Sequence, residues 1–345
     1  MILVTGGLGF IGAHTARGLL DLGQPCVLGQ RRVGPLPDLL AAPAHGGPGT
    51  PVAPPGATAT AAATAAVAAL DCTDLASVLA VGERYEISGI VHLASTSLGS
   101  QPLDGLWSST SALLNVLRAA QHWGVRRVVV ASTIGVYAGI HADVYREDEP
   151  LPVPSPHLIP AQKKSTEIIA DAVAGGTGIE IVSVRIGAIW GPLGRPSSPF
   201  FGAPQLVHAA VAGTSGGTSG GTSGGTPGQA TGAAGPYAED GVDMCYAPDC
   251  GRAIALLQTT PGLRHRTYNV GSGRITTNRE VAEAVVRAVP GAAPVLAEGR
   301  GPHAPARDAH LDIERLRTDT GFAPRYDLDA AVTDYVRWLR AGHDR

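Results

Sequence analysis

The first twenty residues constrain the fold of this chain more than any other stretch. An apolar run, Ile2-Leu3-Val4-Thr5, meets Gly6-Gly7-Leu8-Gly9-Phe10-Ile11-Gly12, after which Ala13, Ala16, Leu19 and Leu20 recur on one helical face. The spacing predicts a strand, a tight turn and a helix. Gly6 permits the turn, Gly9 lets backbone N–H groups approach a pyrophosphate, and Gly12 lets helix and strand pack closely. The helix N-terminus adds oriented donors and positive potential. Gly6, Gly9, Phe10, Ile11 and Gly12 therefore form a candidate dinucleotide-binding turn.

The same alternation continues. Short runs rich in Val, Ile and Leu at 2–5, 25–28, 89–93 and 127–132 alternate with helical stretches at about 12–22, 74–84, 105–123 and 161–174. Such runs suit a parallel sheet buried on both faces, and the β-α-β order predicts a doubly wound α/β (Rossmann) fold with a smaller C-terminal substrate domain. Further strands are expected at 179–185 and 243–246. Further helices are expected at about 278–288 and 328–340, the first opened by Thr276-Thr277-Asn278 as N-cap candidates. Two segments break the pattern: 34–66, mostly Ala, Pro, Gly and Thr, and 213–236, which holds Thr-Ser-Gly-Gly three times. Both are expected to be flexible insertions, since nothing in them gains by burial. The second falls where a substrate cap would lie, so a lid is the sharper alternative. The expected division is a dinucleotide-binding domain over 1–178 and 240–260 and a substrate domain over 179–239 and 261–345.

Composition excludes several function classes. Among 345 residues only 16% are charged, with a formal net charge of −3, against a usual charged share of about a quarter. No Lys/Arg-rich run exists to track a nucleic-acid backbone. Cys26, Cys72, Cys245 and Cys250 are too scattered for a disulfide framework or a zinc site, so no metal is expected. A strand starting at residue 2 leaves no room for a signal peptide, and 57–70 is too rich in Ala and Thr to hold in a bilayer. The expectation is a cytoplasmic protein that binds neither nucleic acid nor membrane.

Several motifs stand in order along the chain: Thr5-Gly6-x-x-Gly9-x-x-Gly12, Asp71 with Asp74, His92-Leu93-Ala94-Ser95, Ser132-Thr133-Ile134-Gly135-Val136-Tyr137, Glu147-Asp148-Glu149-Pro150, Arg185 to Pro192, and Tyr268-Asn269-Val270-Gly271. Over nearly its whole length the chain thereby resembles the extended short-chain dehydrogenases/reductases, the NAD-dependent epimerase/dehydratase family. The resemblance implies an NAD(P) cofactor, a small-molecule substrate and a homodimer. It places Asp71 and Cys72 at the adenine, Leu93, Ala94 and Ser95 along the cofactor, Thr133 at the reacting oxygen and Lys163 on the nicotinamide ribose. Cofactor choice turns on the end of the second strand, where a carboxylate would accept from the ribose hydroxyls and repel a 2′-phosphate. Gln30 stands there, followed by Arg31 and Arg32. Guanidiniums suit phosphate, so NADP is favoured over NAD.

The reactive site departs from the family. Its members place a Tyr four residues before the Lys, on the same helical face, where the ammonium lowers the phenol's pKa for proton exchange. Lys163 and Lys164 are the only lysines; counting back from Glu167, Lys163 is the match, and Ile159 stands in the Tyr position. Acid–base help is worth about 10²–10⁴ in rate, so a replacement is expected among Thr133, His157 and Tyr145. Pro160 is expected in the first helical turn, with the helix beginning just after Ile159. The Arg that grips the diphosphate in nucleotide-sugar enzymes is also missing, since Val242 precedes Asp243, and 186–192 reads Ile-Gly-Ala-Ile-Trp-Gly-Pro without the usual Asn. The substrate is therefore expected to be sugar-like or a secondary metabolite, with Trp107, Trp190, Phe200 and Phe201 as candidate apolar lining. The expected activity is that of a reductase or epimerase. The alternatives are a non-redox enzyme (dehydratase, cyclase or glycosidase type) with a structural cofactor and a non-catalytic binding module; a change in nicotinamide absorbance during turnover separates the first from the others.

Overall fold

The computed structural model describes residues 1–41, 63–95, 101–198, 200–213, 235–302, 304 and 307–343. The Thr-Ser-Gly-Gly repeats and most of the 34–66 insertion lie outside the described residues. The chain opens with β1 (Ile2–Thr5), α1 (Phe10–Asp21), β2 (Cys26–Gln30), α2 (Asp38–Ala41), β3 (Ala65–Ala69), α3 (Leu75–Arg84) and β4 (Gly89–His92). It continues through α4 (Pro102–Trp123), β5 (Arg127–Thr133), a 3₁₀ turn (Ile134–Tyr137), β6 (Val144–Tyr145), α5 (Leu158–Thr177), β7 (Glu180–Ile186), β8 (Ala188–Trp190) and α6 (Ala203–Val211). The remainder comprises β9 (Gly241–Val242), β10 (Met244–Tyr246), α7 (Ala247–Thr259), β11 (Thr267–Val270), β12 (Thr276–Thr277), α8 (Asn278–Ala288), β13 (His310–Leu311), α9 (Glu314–Thr320) and α10 (Leu328–Arg340).

Seven strands form one parallel sheet in the order β11-β7-β5-β4-β1-β2-β3. Alternate residues feed two apolar layers. Leu3, Val27, Ile90, Val128 and Val130 pack towards α3, α4 and α5, while Val4, Leu28, Val91, Val129 and Val182 pack towards α1 and α7. Burial on both faces is why these strands are near-continuous Val, Ile and Leu runs. The order reverses between β1 and β4, and the crevice outside the strand ends at such a switch point is where sheets of this kind take ligands.

Several expectations need adjustment. β3 reads Ala-Ala-Val-Ala-Ala and begins inside the span read as insertion; its strand state comes from pairing with β2, Cys26 opposite Ala65 through Gln30 opposite Ala69. β7 and β11 complete the large sheet although their residues fall in the expected substrate part. The strand expected at 243–246 pairs with β8 instead. There Trp190 and Phe201 are core residues, packed with α6, α8 and α10, while Trp107 lies on the surface of α4. A cavity that Trp190 borders holds about 50 Å³, far below the roughly 300 Å³ at which ligand pockets begin. No helix among the described residues is long and apolar enough to cross a membrane.

Candidate active site

The glycine turn is built as its spacing predicts. Gly6 has φ +69°, and the Gly6 and Gly7 amides both donate to the Gly29 carbonyl (2.8 and 3.2 Å), fastening the turn to β2. A Cβ on Gly12 would stand 2.2 Å from the Gly6 carbonyl oxygen. Gly7 is equally constrained, 2.8 Å from Leu28 by the same construction, a requirement visible only once β2 is in place. Gly9 N-caps α1 with no side-chain cap and no acidic residue in the first turn. The amides of that turn have no intrahelical partner and point into the crevice side of the sheet, a cradle for an anion. Phe10 offers its backbone to that cradle, while its ring lies edge-on to His14.

At the end of β2 the Gln30 Oε1 is buried with no partner, an acceptor awaiting a donor. Arg31 and Arg32 are exposed beside it. The Asp71 carboxylate accepts from the Thr73 hydroxyl and amide (2.7 and 2.9 Å); these bonds, with a smaller contribution from Arg31, hold it below the usual carboxylate range. Cys72 is buried, its thiol pushed up to about 11 by burial. The strand end Leu93-Ala94 abuts the turn: a Cβ on Gly6 would lie 3.3 Å from the Ala94 nitrogen, and Ser95 is exposed just beyond. The Leu93 and Ala94 amides donate to Thr5 Oγ1 (3.2 and 3.1 Å), which leaves the Thr5 proton for His92 Nδ1 at 2.8 Å. Burial pulls His92 down to about 3, with the nearby Lys163 charge adding to the shift, so this imidazole is neutral.

Thr133 ends β5 and accepts the Gly135 amide (3.2 Å), which leaves its own O–H to donate. Lys163 is partly buried on α5, and burial pulls its ammonium down to about 8. α5 begins at Leu158, one residue before Ile159 rather than after it, with His157 as N-cap. Pro160 does fall in the first turn and packs on Gly135, where a Cβ would stand 3.2 Å from it. Ile159 and Lys163 are thus one helical turn apart, on one face. His157 makes no capping hydrogen bond; its ring lies 6.4 Å from that of Phe200, and burial lowers its pKa. Tyr145 stacks flat on Tyr137 (4.7 Å, 4°). Its pKa is raised by burial and then by Asp308, the opposite of what an ammonium neighbour would do, so the geometry gives Tyr145 a packing role.

A network that sequence reasoning missed fixes this arrangement. Glu167, one turn beyond Lys163, accepts from the Ser132 hydroxyl (2.5 Å) and from Arg185 (2.7 and 3.0 Å). Arg185 also donates to the Tyr137 hydroxyl (2.9 Å), which in turn donates to Asn269 Oδ1 (2.8 Å). The i, i+4 spacing suggests a Lys163–Glu167 pair; the fold gives Glu167 to β5 and β7 instead and leaves Lys163 without an ion pair, its charge felt at His92.

These features fit a dinucleotide: an uncapped helix N-terminus behind a turn too tight for side chains, an orphaned buried acceptor, and an amine without a carboxylate. Residues 2–271 match the NAD dependent epimerase/dehydratase family, and the chain belongs to it. It is similar to UDP-glucose 4-epimerase of Azospirillum brasilense, 26% identical over 347 residues, covering 99% of this chain and 92% of that protein. A UDP-glucuronate 4-epimerase of Thermodesulfobacterium geofontis is 32% identical over 140 residues, 38% of this chain and 42% of that protein. Among solved structures, the Thermus thermophilus UDP-glucose 4-epimerase in complex with NAD shares the fold with a TM-score of 0.71 at 22% identity, covering 99% of each chain.

Proposed function

We propose that this chain is an atypical NAD(P)-dependent reductase or epimerase whose hydroxylated, sugar-like or secondary-metabolite substrate carries no nucleoside diphosphate. The carrying observation is the fate of the cations beside Gly241. Val242 supplies none. Arg300 is locked in two parallel bonds to Asp308 (2.7 and 2.8 Å), and that carboxylate would lie 3.0 Å from a Cβ on Gly241. An incoming diphosphate would have to displace this carboxylate to reach the guanidinium, with Asp308 12% and Arg300 38% exposed. The test is nicotinamide absorbance in a single turnover with free sugars and polyols, with UDP-glucose as comparator: a reductase gives a net change, and an epimerase a transient one because the hydride returns. Turnover restricted to the nucleotide sugar would contradict the proposal. A second reading, a non-redox enzyme retaining the dinucleotide, draws its support from Ile159 and gives product without even a transient absorbance change.

In this reading the Phe10, Ile11 and Gly12 amides hold the pyrophosphate, the Gly9 amide being given to the Gly6 carbonyl (2.9 Å); Gln30, Arg31 and Arg32 take the adenosine ribose, Asp71 and Cys72 lie at the adenine, and Lys163 binds the nicotinamide ribose. The bound cofactor supplies hydride donation and acceptance. The Thr133 hydroxyl donates to the reacting oxygen, and Phe200 with His157 flanks the approach. Gln30 in place of an acid, with two exposed guanidiniums, supports NADP. The double variant Arg31→Ala/Arg32→Ala is expected to weaken NADP⁺ binding by about 10–100-fold, the value of one or two charge-assisted hydrogen bonds, and to leave NAD⁺ binding unchanged in calorimetry. Equal losses for both nucleotides would contradict the assignment.

Homodimerisation is part of the same proposal. Leu103, Trp107 and Leu114 recur on one face of α4 at 82%, 78% and 40% exposure, and α5, packed beside it, exposes Ile168 at 70%. A contiguous apolar face of this kind is covered in stable proteins, and a second copy supplies a matching one by symmetry. Sedimentation velocity is expected to give a dimer at micromolar concentration; a monomer would contradict it.

A further inference from the structure

Among the described residues Lys163 has no hydrogen bond and no ion pair, and most polar groups of the neighbouring elements are committed elsewhere. β4 presents His92, whose Nδ1 takes the Thr5 proton. β5 presents Ser132, given to Glu167, and Thr133, accepting from Gly135. β7 presents Arg185, also given to Glu167. α4 presents the Gly105 carbonyl, which accepts from Gln162, and the 3₁₀ turn presents Tyr137, engaged by Asn269 and Arg185. On its own helix the neighbours one turn away are apolar Ile159 and the committed Glu167. The amine lies close enough to His92 for its charge to lower that imidazole's pKa, and Ile159, one turn back on the same face, gives it no phenol to act through.

We propose that Lys163 is itself the proton-transferring residue of this site, taking over from the phenol that Ile159 cannot supply. The neutral amine takes the proton of a substrate hydroxyl: the O–H bond breaks, its electron pair stays on oxygen, and a new N–H bond converts the amine to an ammonium. In the opposite direction that N–H bond breaks and the proton returns to the substrate oxygen, which also accepts from the Thr133 hydroxyl. The inference rests on the function proposed above. Burial supports it, because pulling the ammonium down to about 8 populates both protonation states near neutral pH, the condition under which a general acid–base works best. Such a residue differs from its usual counterpart, which stays charged, holds the nicotinamide ribose and lowers the phenol's pKa.

Two lysines in the whole chain make the test direct, since amine labelling can be read residue by residue. The full-length protein is pulsed with trinitrobenzenesulfonate between about pH 6 and pH 10 and mapped by peptide. Lys163 is expected to label with a midpoint near 8, its free-amine fraction at neutral pH being about 10²-fold that of an ordinary lysine. In Ile159→Tyr, the introduced phenol lies one turn from the same amine. It is expected to titrate at or above the usual value of about 10, followed by tyrosinate absorbance, because an amine with a midpoint near 8 is already neutral when the phenol ionises. A Lys163 midpoint at about 10.5, the ordinary lysine value, overturns the proposal, and so does an introduced phenol titrating well below its ordinary value, which would show an ammonium still charged beside it. Titrations with NAD⁺ and NADP⁺ run alongside. Failure to bind either nucleotide overturns the function on which the proposal rests, and is told apart from a failure at Lys163 because the labelling midpoint is read without nucleotide.

Discussion

Gly12→Ala is expected to remove dinucleotide binding while Gly9→Ala leaves the fold intact. A methyl group on Gly12 would stand 2.2 Å from the Gly6 carbonyl oxygen and 2.8 Å from the Gly7 Cα, both backbone atoms that no rotamer change can move aside. The turn must therefore shift away from α1, and its amides lose their aim. Misplacement of binding groups by about 1 Å is worth roughly 100-fold, and overpacking adds about 1–3 kcal/mol of destabilisation. At Gly9 the nearest atom is the Gly6 carbonyl oxygen at 3.1 Å, a tight contact that a shift of a few tenths of an ångström relieves, so the loss of stability in urea is expected to be smaller than in Gly12→Ala, whereas nucleotide affinity falls because the methyl group crowds the turn that approaches the pyrophosphate. Calorimetry and urea denaturation of the two variants check both halves. Equal stability of Gly12→Ala and the parent would show that the turn is looser than described.

Arg185→Met is the second large effect. Arg185 and Glu167 are nearly buried, with side chains 6% and 11% exposed. Removing the cation leaves the carboxylate with the Ser132 hydroxyl alone, and Tyr137 and the Glu147 carbonyl lose a donor as well. Breaking a buried pair in this way costs about 3–5 kcal/mol. The companion variant Arg185→Met/Glu167→Leu, which removes both charges, is expected to recover a large part of that loss. A fall in the urea midpoint for the single variant, partly reversed in the double, is the expected result; identical midpoints would contradict the network.

Local chemistry was legible in the sequence. The glycine turn, the apolar runs of β4 and β5, and the cap candidates Thr276-Thr277-Asn278, of which Thr277 caps α8, are each written within a few residues. What depends on distant partners was not. β3 has the composition of a linker and becomes a strand only by lying on β2. Glu167 reads as a partner for Lys163 by spacing, yet Arg185, eighteen residues on, outcompetes it because β7 carries a guanidinium to its side. Tyr145 looks free to reach a reacting atom until Tyr137 stacks on it. The turn and Lys163 are candidates by motif alone, whereas the orphaned Gln30 oxygen and the Arg300–Asp308 lock needed the fold.

The central claim is that the uncapped end of α1, behind a turn without side chains, cradles a dinucleotide pyrophosphate. The most direct test is an isothermal titration of the purified chain with NADP⁺ and with NAD⁺. Saturable binding at one site per chain, tighter for NADP⁺ and lost in Gly12→Ala, is the predicted result. An absence of saturable binding for both nucleotides would contradict the account.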